Sequence, residues 1–280
     1  MPTFPAPHPV PVVVDVPAGN LHVVAGDRDD VVVTVLPTDP SSSGSRRAAE
    51  DVRVQRAGDA VTIDYPSSWK QYVLPFAAGT ANITVELPAG SDLRGKTGSL
   101  LTEGRLGSVD VVLTAGDARV DEAERVDLKA SAGSVVVRRV TGPVAVKASA
   151  GSVRLAEVAG EGTVRAANGT TTVDLVTGTL EVSGAHAEIA VGRVRGTLTA
   201  KAAHAGIRVE RVESGRVDLT TSYGSIEVGV PEGTAAWLDV SSQHGSVRNQ
   251  LTPTGGPVED EATAEIHAGT GYGDVIVRRP

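Results

Sequence analysis

The chain has 280 residues, a formal net charge of −8 at pH 7, only 3% aromatic residues and no cysteine. The acidic balance, with no basic run longer than a pair, excludes nucleic acids and anionic membrane surfaces as expected partners, because both are bound through grouped Lys and Arg side chains. The missing cysteines exclude disulfides, thiol catalysis and cysteine-ligated zinc.

The first 90 residues carry short β patterns separated by turn residues. Runs rich in Val, Ile and Leu, bounded by Pro, Gly, Asn and Asp, predict strands. These predicted strands are Val10–Val16, Leu21–Ala25, Val31–Leu36, Val52–Arg56, Val61–Tyr65 and Ile83–Leu87. No segment predicts a helix, and only a short turn is expected near Arg47–Asp51. We expect this region to cap one end of the fold.

The segment Pro66–Thr80 is a loop that is unusually rich in aromatic residues for this chain. Its candidate interaction residues are Trp69, Lys70, Gln71 and Tyr72. Exposed Trp and Tyr rings beside a cation and an amide are typical of binding hot spots. The alternative is a loop that folds over an open end of the fold and fills it with rings, because unpaired strand edges otherwise invite aggregation.

From Gly98 onward, small residues recur at a spacing of about 18 residues, as at Gly133, Gly151 and Gly169. Between them apolar residues alternate with polar ones, which places the apolar set on one face of a strand. A unit this short cannot bury its own apolar face and is stabilised only by stacking on its neighbours. We therefore predict an all-β fold: a single-stranded parallel β-solenoid, or β-helix, of about 18 residues per coil, right-handed, with a strand-rich N-terminal cap.

The predicted organisation is one continuous domain in three parts. A β-rich N-terminal cap region covers residues 1–90, solenoid repeats cover residues 91–250, and an acidic loop with a C-terminal capping strand covers residues 251–280. Two inward positions of the repeats, Gly162 and Thr171, depart from the apolar pattern and are expected to weaken single rungs.

The outward positions of the repeats form an acidic column beside a basic one. In the predicted register the candidate interaction face consists of Asp127, Lys129, Lys147, Arg165, Glu181, Lys201 and Asp218. The functional interpretation is a face that docks a polar polymer or a second copy of the chain. The alternative is a solvated sheet surface, on which charge pairs contribute only about a few tenths of a kcal/mol each.

Sites for metals and for catalysis find little support in the sequence. His186 and His204 precede turns one repeat apart, so their imidazoles are expected to stack, but no third metal ligand accompanies them. Carboxylates such as Asp121, Glu122 and Asp174 could suit a glycosidase or lyase, yet no sugar-stacking ring lies beside them in sequence. The Gly-Gly-x-Gly-x-Asp turns of calcium-binding β-rolls do not recur. We expect no cofactor, no small-molecule substrate and no enzymatic activity.

Several segments along the chain resemble one known family. They are Met1–Pro5, Trp69–Tyr72, the repeated Gly-Ser-Val units, Ala235–Asp239, His244–Asn249 and Tyr272–Val275. On these segments the chain resembles the putative-adhesin, DUF4097-type family of β-strand-repeat proteins over essentially its whole length. The resemblance implies a parallel β-solenoid and supplies no catalytic residues.

We expect a non-catalytic β-solenoid scaffold or protein-interaction module, which binds an unidentified protein partner or assembles with itself. The alternative is an adhesin-like surface protein that binds glycans and is exported by an unrecognised route. The N-terminus lacks the basic and apolar regions of an export signal, and no stretch reaches the roughly 18 apolar residues of a membrane span. We therefore expect a cytoplasmic location.

Overall fold

The computed structural model describes residues 1–65, 79–252, 256 and 261–280. The described part consists of β-strands apart from one helix, which confirms the predicted all-β class. None of its helical structure is long or apolar enough to cross a membrane. The predicted interaction loop, Trp69–Tyr72, lies outside the described residues. The chain divides into two compact units, Met1–Gly133 and Ser134–Pro280, and the boundaries predicted at residues 90 and 250 stay a prediction.

The elements of the first unit form where Val-, Ile- and Leu-rich runs alternate with polar residues. Along the second strand, Val12, Val14 and Val16 are buried, whereas Val13 and Asp15 between them point outward, as the alternation of side chains along a strand requires. The elements are β1 (Thr3–Pro5), β2 (Pro11–Gly26), β3 (Asp30–Pro37), α1 (Ser43–Asp51), β4 (Arg53–Ala57), β5 (Ala60–Asp64), β6 (Ala81–Pro88), β7 (Asp92–Glu103), β8 (Arg105–Leu113) and β9 (Ala118–Ala132).

Strand β2 lies at the centre of the first unit. On one edge it pairs in parallel with β7, where Leu21 lies opposite Leu100. On the other edge it pairs in parallel with β5 and β6, where Leu21 lies opposite Ile83. Strands β7, β8 and β9 then follow in parallel. The region predicted as a cap therefore contributes a parallel strand of the same kind as the repeats, and antiparallel pairs of β1 with β3, β3 with β6 and β4 with β5 lie beyond it.

Helix α1 corrects the expectation that the chain contains no helix. Its N-cap residue Ser42 accepts a hydrogen bond from the backbone N–H of Ser45 at 3.4 Å, and Ala48 is buried where the helix contacts β3 and β6. A run rich in Ser and Pro is typical of a loop. Ser is also a preferred N-cap residue, and the Arg, Ala and Glu residues that follow favour helix.

The second unit consists of strands in the described residues, half of them nine residues or longer. They are β10 (Val135–Val140), β11 (Val144–Val158), β12 (Glu161–Val176), β13 (Thr179–Val194), β14 (Thr197–Ala202), β15 (Ile207–Val212), β16 (Gly215–Tyr223), β17 (Ile226–Gly229), β18 (Thr234–His244), β19 (Val247–Asn249), β20 (Ala262–Tyr272) and β21 (Val275–Arg278). Their inward side chains are mostly Val, Leu, Ile and Ala, and these are buried in the strands other than β18 and β19.

Successive strands of the second unit pair in parallel with a shift of one repeat. Val146 lies opposite Val164, and Val164 lies opposite Val182, so each repeat of the sequence supplies the next strand of the sheet. The turns bring backbones into close contact. Gly169, with a φ of +120°, lies against the carbonyl oxygen of Gly151.

The final strands do not follow the order of the sequence. β20 pairs with β16 on one edge and with β18 on the other, and β21 likewise pairs with both β17 and β19. β20 therefore lies between β16 and β18, and β21 lies between β17 and β19. This differs from the capping position predicted for residues 251–280. Hydrophobic burial accounts for this order, since Ile266 and Val275 are fully buried whereas Leu238 is half-buried and Val247 is exposed.

Thr171 is a polar residue in the apolar interior of the second unit. It is completely buried between Val153 and Ile189 of the neighbouring strands, and its Oγ1 has no hydrogen-bond partner among the described residues. A buried polar group left without a partner costs about 1–3 kcal/mol.

We expect Thr171→Val, which keeps the branched shape and removes the hydroxyl, to raise the free energy of unfolding by about 1–2 kcal/mol. Urea unfolding measures this change. Thr172→Val on the opposite face serves as the control and should change stability by less than about 0.5 kcal/mol. A less stable Thr171→Val variant would show that the hydroxyl finds a partner in solution.

Candidate binding face of the second unit

The charged residues predicted from the sequence occupy outward positions in both units. In the first unit, Asp127 and Lys129 lie on β9 and form an ion pair, with Lys129 Nζ 3.8 Å from Asp127 Oδ1. In the second unit, Lys147 lies directly opposite Arg165, and Lys201 lies two strands further along the same column.

The acidic members of the predicted face occupy the neighbouring column of the second unit. Glu181 and Asp218 lie on either side of Thr199. Glu181 is exposed, and Asp218 is half-buried against Arg216. The register therefore brings the predicted columns of the second unit together, whereas their role in binding stays a prediction.

A second group of outward side chains lies across four adjacent strands, β14, β16, β20 and β18. Thr197, Arg216, Glu265 and Trp237 follow one another directly across these strands. They line a shallow cleft of about 720 Å³, which we call the Trp237 cleft. Its other lining residues are Arg195, Ser214, Gly215, Thr263 and Ala264.

The polar side chains that line the cleft are held in place by one another and by polar side chains beside it. Arg216 donates from Nε to Asp218 Oδ2 at 2.9 Å, from Nη2 to Asp218 Oδ1 at 3.2 Å, and from Nη1 to Glu265 Oε1 at 3.0 Å. His267 Nε2 lies 2.8 Å from the same Glu265 oxygen, and its Nδ1 lies 3.4 Å from Asp239 Oδ2. Arg216 is thus clamped between two carboxylates, and the orientation of each planar group is set by its neighbours.

Trp237 is the aromatic side chain among the described residues that line this cleft. It is 57% exposed, and its ring centroid lies 5.0 Å from that of His267, with the two planes tilted by 59°. A tilted arrangement of this kind is a favourable one for ring pairs. His267 therefore orients the indole while leaving more than half of it open to solvent.

Sequence reasoning did not single out Trp237, Arg216, Glu265 or His267 as site residues. The alternation in Ala264–Ala268 puts Glu265 and His267 on the outward face, which was the available signal. Their partner Arg216 precedes them by about 50 residues, and the two meet only because β20 lies beside β16.

The hydrogen bond to Glu265 raises the pKa of His267 above its ordinary value near 6.5, with a smaller contribution from Asp239, against opposing effects of desolvation and Arg216. Because the folded-state pKa is raised, the stabilisation is fully present below the ordinary pKa and is lost as pH rises through the raised value. We expect the Tm to fall as pH rises from the ordinary value of 6.5 through the raised pKa of His267, and to fall less in His267→Gln. Parallel Tm profiles for the two proteins would contradict this coupling.

A stack of aromatic rings follows the turn edge of the second unit. His186 and His204 stack with centroids 5.1 Å apart and planes 12° apart, as expected from the sequence. The stack continues through Tyr223, Tyr272 and His244, with centroids 5.0, 4.9 and 4.4 Å apart. The sequence did not predict Tyr272 as a member of this stack, because its strand, β20, lies between β16 and β18 rather than after β19.

In the described part of the chain, no group of three or more His, Cys, Asp or Glu side chains could hold a metal ion.

Comparison with solved structures finds several similar chains. A putative cell adhesion protein from Clostridium sporogenes shares 9% identity over 100% of this chain and 98% of its own, with a TM-score of 0.29. A putative adhesin from Bacteroides fragilis shares 12% identity over 99% and 95%, with a TM-score of 0.40. A putative adhesin from Parabacteroides distasonis shares 13% identity over 99% and 95%, with a TM-score of 0.37.

Among curated proteins no sequence matches this chain. The family model described as Toastrack DUF4097 matches residues 12–278, nearly the whole length. The resemblance seen in the sequence is thereby confirmed, and the chain belongs to the Toastrack DUF4097 family.

Proposed function

We propose that this protein is a non-catalytic binding protein whose coils form a right-handed parallel β-solenoid of about 18 residues per coil. Its binding surface is the outward strand face of the second unit around the Trp237 cleft. The parallel pairing of successive repeats, with Val146, Val164 and Val182 in line, supports the solenoid. A backbone held by such pairing is a rigid platform for outward side chains.

The observation that carries this proposal is the exposure of Trp237 beside polar groups of fixed orientation. An exposed indole forgoes the hydrophobic stabilisation of about 25 cal/mol per Å² that burial would give. Trp and Arg side chains are among the residue types that dominate binding energy at interfaces, and Trp237 lies two strands from the oriented Arg216. This arrangement favours a binding site over a passive scaffold.

The state of the carboxylates supports binding rather than catalysis. Glu265 and Asp218 are held in ion pairs by Arg216, and Asp239 lies beside His267. A general acid needs a carboxyl group shielded from such cations, so that its proton is retained near neutral pH. The arrangement therefore suits acceptance of hydrogen bonds from a ligand.

The test of this proposal uses parallel arrays of peptides and glycans probed with the wild-type protein, Trp237→Ala and Leu36→Ala. Leu36, in the first unit, is as exposed as Trp237, at 57%, and is the matched control. We expect binding that Leu36→Ala keeps and Trp237→Ala loses. Binding that survives in Trp237→Ala, or a wild-type protein that binds neither array, would contradict the proposal.

A second candidate function, self-assembly, is favoured by the apolar residues of β18 and β19. Val247 is 43% exposed and Leu238 and Val240 are half-buried, whereas Ile266 of the adjacent strand is fully buried. A second copy could cover this edge by strand addition. Light scattering over a hundredfold range of concentration should then give masses that climb in multiples of 28.6 kDa, and Val247→Lys should return the mass to that of the monomer. A constant monomer mass would refute self-assembly.

A further inference from the structure

We infer that the Trp237 cleft binds a neutral oligosaccharide. This inference rests on the proposed function, since it names the ligand class of the same site. Its basis is the combination of an open indole, a fixed network of planar polar groups and an excess of negative charge around them. Each of these observations narrows the chemical class of ligand that the cleft can bind.

The indole of Trp237 supplies the apolar part of the site. Its plane is set by the tilted ring of His267 at 5.0 Å, and its exposed area borders the cleft. A pyranose ring has one face made of C–H groups, which packs against a flat aromatic ring and removes apolar surface from water on both sides. The strands that carry the site lie about 4.8 Å apart, close to the length of one sugar unit, so a linear chain could run across several strands.

The polar lining supplies the hydrogen bonds that hydroxyl groups require. Each sugar hydroxyl both donates and accepts, and it is best bound between a carboxylate and an N–H or O–H group. Glu265 provides acceptors and Arg216 provides donors, and Arg216 is fixed by bonds of 2.9–3.2 Å to Asp218 and Glu265. The hydroxyls of Thr197, Ser214 and Thr263 line the same cleft. Because the network is already ordered, binding costs little side-chain entropy.

The charge of the surroundings selects a neutral ligand. Three carboxylates, those of Glu213, Asp218 and Glu265, are paired with two guanidinium groups. The guanidinium groups are those of Arg195 and Arg216, and each is already paired with carboxylates from this set. A uronic acid, a sulfated sugar or an acidic peptide would meet a net negative charge on these five side chains and find both guanidinium groups of the described lining already paired, which disfavours its binding.

The experiment takes advantage of the chain's two tryptophans. In Trp69→Phe, Trp237 is the single indole, and its fluorescence reports ligand contact directly. The probes are hexamers of β-1,4-linked glucose, α-1,4-linked glucose and β-1,4-linked mannose, with hexagalacturonate as the acidic counterpart. We expect a saturable change of Trp237 emission with at least one neutral hexamer and none with hexagalacturonate.

Calorimetry with the neutral hexamer then tests the individual contacts in the otherwise unchanged protein. We expect Trp237→Ala to abolish binding, Trp237→Phe to keep part of it, and Glu265→Gln to weaken it about tenfold through loss of a charged acceptor. Glu181→Gln, an exposed carboxylate on the same face but outside the cleft, is the matched control and should bind like the wild type.

Three results would overturn the inference: no neutral hexamer saturates the emission, hexagalacturonate binds equally well, or Trp237→Ala binds normally. The array experiment separates this failure from that of the proposed function. Peptide binding that Trp237→Ala loses, together with no binding of any hexamer, would refute the saccharide and leave the binding face standing. No binding in any assay would refute both.

Discussion

Gly169→Ala is expected to lower the free energy of unfolding of the second unit by about 3 kcal/mol or more. Gly169 has a φ of +120°, which L side chains rarely adopt, and a Cβ at this position would lie 1.8 Å from the carbonyl oxygen of Gly151. The atom in the way belongs to the backbone of the adjacent strand, so no side-chain rotation relieves the contact. The turn would have to move away from its neighbour and give up part of the parallel ladder.

Urea unfolding followed by circular dichroism measures this effect, with the midpoint and the slope read separately. Gly233→Ala is the matched control, because Gly233 also has a positive φ, +78°, but has no atom within 4 Å of the added Cβ. Gly233→Ala should lower the free energy of unfolding only by the backbone strain, about 1 kcal/mol. If both variants lost equal stability, the close approach of the Gly151 and Gly169 backbones would not exist in solution.

The strands and their register within the repeats were predictable from the sequence because both follow from local rules. Alternation of side chains fixes which residues face inward, and the recurring glycines fix where each strand turns. Val146, Val164 and Val182 share one column because a slip by one residue would turn every inward Val to solvent. The stacking of His186 on His204 follows from the same spacing.

The order of the last strands was not predictable in this way. β18 and β20 alternate in the same manner, and nothing local decides which of them lies against β16. The choice depends on a comparison of their inner faces, in which Ile266 and Val275 become fully buried and Val247 stays exposed.

The Trp237 cleft depends on that order, because it brings Glu265 beside Arg216 and Trp237 beside Glu265. Each of these residues alone looks like an ordinary surface residue in the sequence. Helix α1 was missed for a different reason, since the same Ser that favours a loop also caps a helix.

We expect Leu180→Ala to lower the free energy of unfolding by about 4 kcal/mol, near the upper end of the range for buried leucines. Leu180 is fully buried, and its neighbour in the inward column is Gly162, which has no side chain of its own. A Cβ on Gly162 would lie 2.7 Å from Leu180 Cδ1, so the leucine already fills the space above the glycine. The missing side chain at Gly162, which the sequence pattern marks as a weak position, is thus replaced by Leu180 of the next strand. Truncation of Leu180 would leave a cavity that no neighbouring side chain fills.

A double-mutant cycle tests this compensation. Gly162→Ala alone should cost about 1 kcal/mol, because the new methyl group must displace the end of Leu180. In the Leu180→Ala background the same methyl group enters the cavity and should become stabilising, which gives a coupling energy of about 1–2 kcal/mol. Leu198→Ala is the control, since Leu198 is equally buried but lies two strands from Gly162, and its cost should add to that of Gly162→Ala. Additivity in both pairs would mean that Leu180 does not fill the space over Gly162.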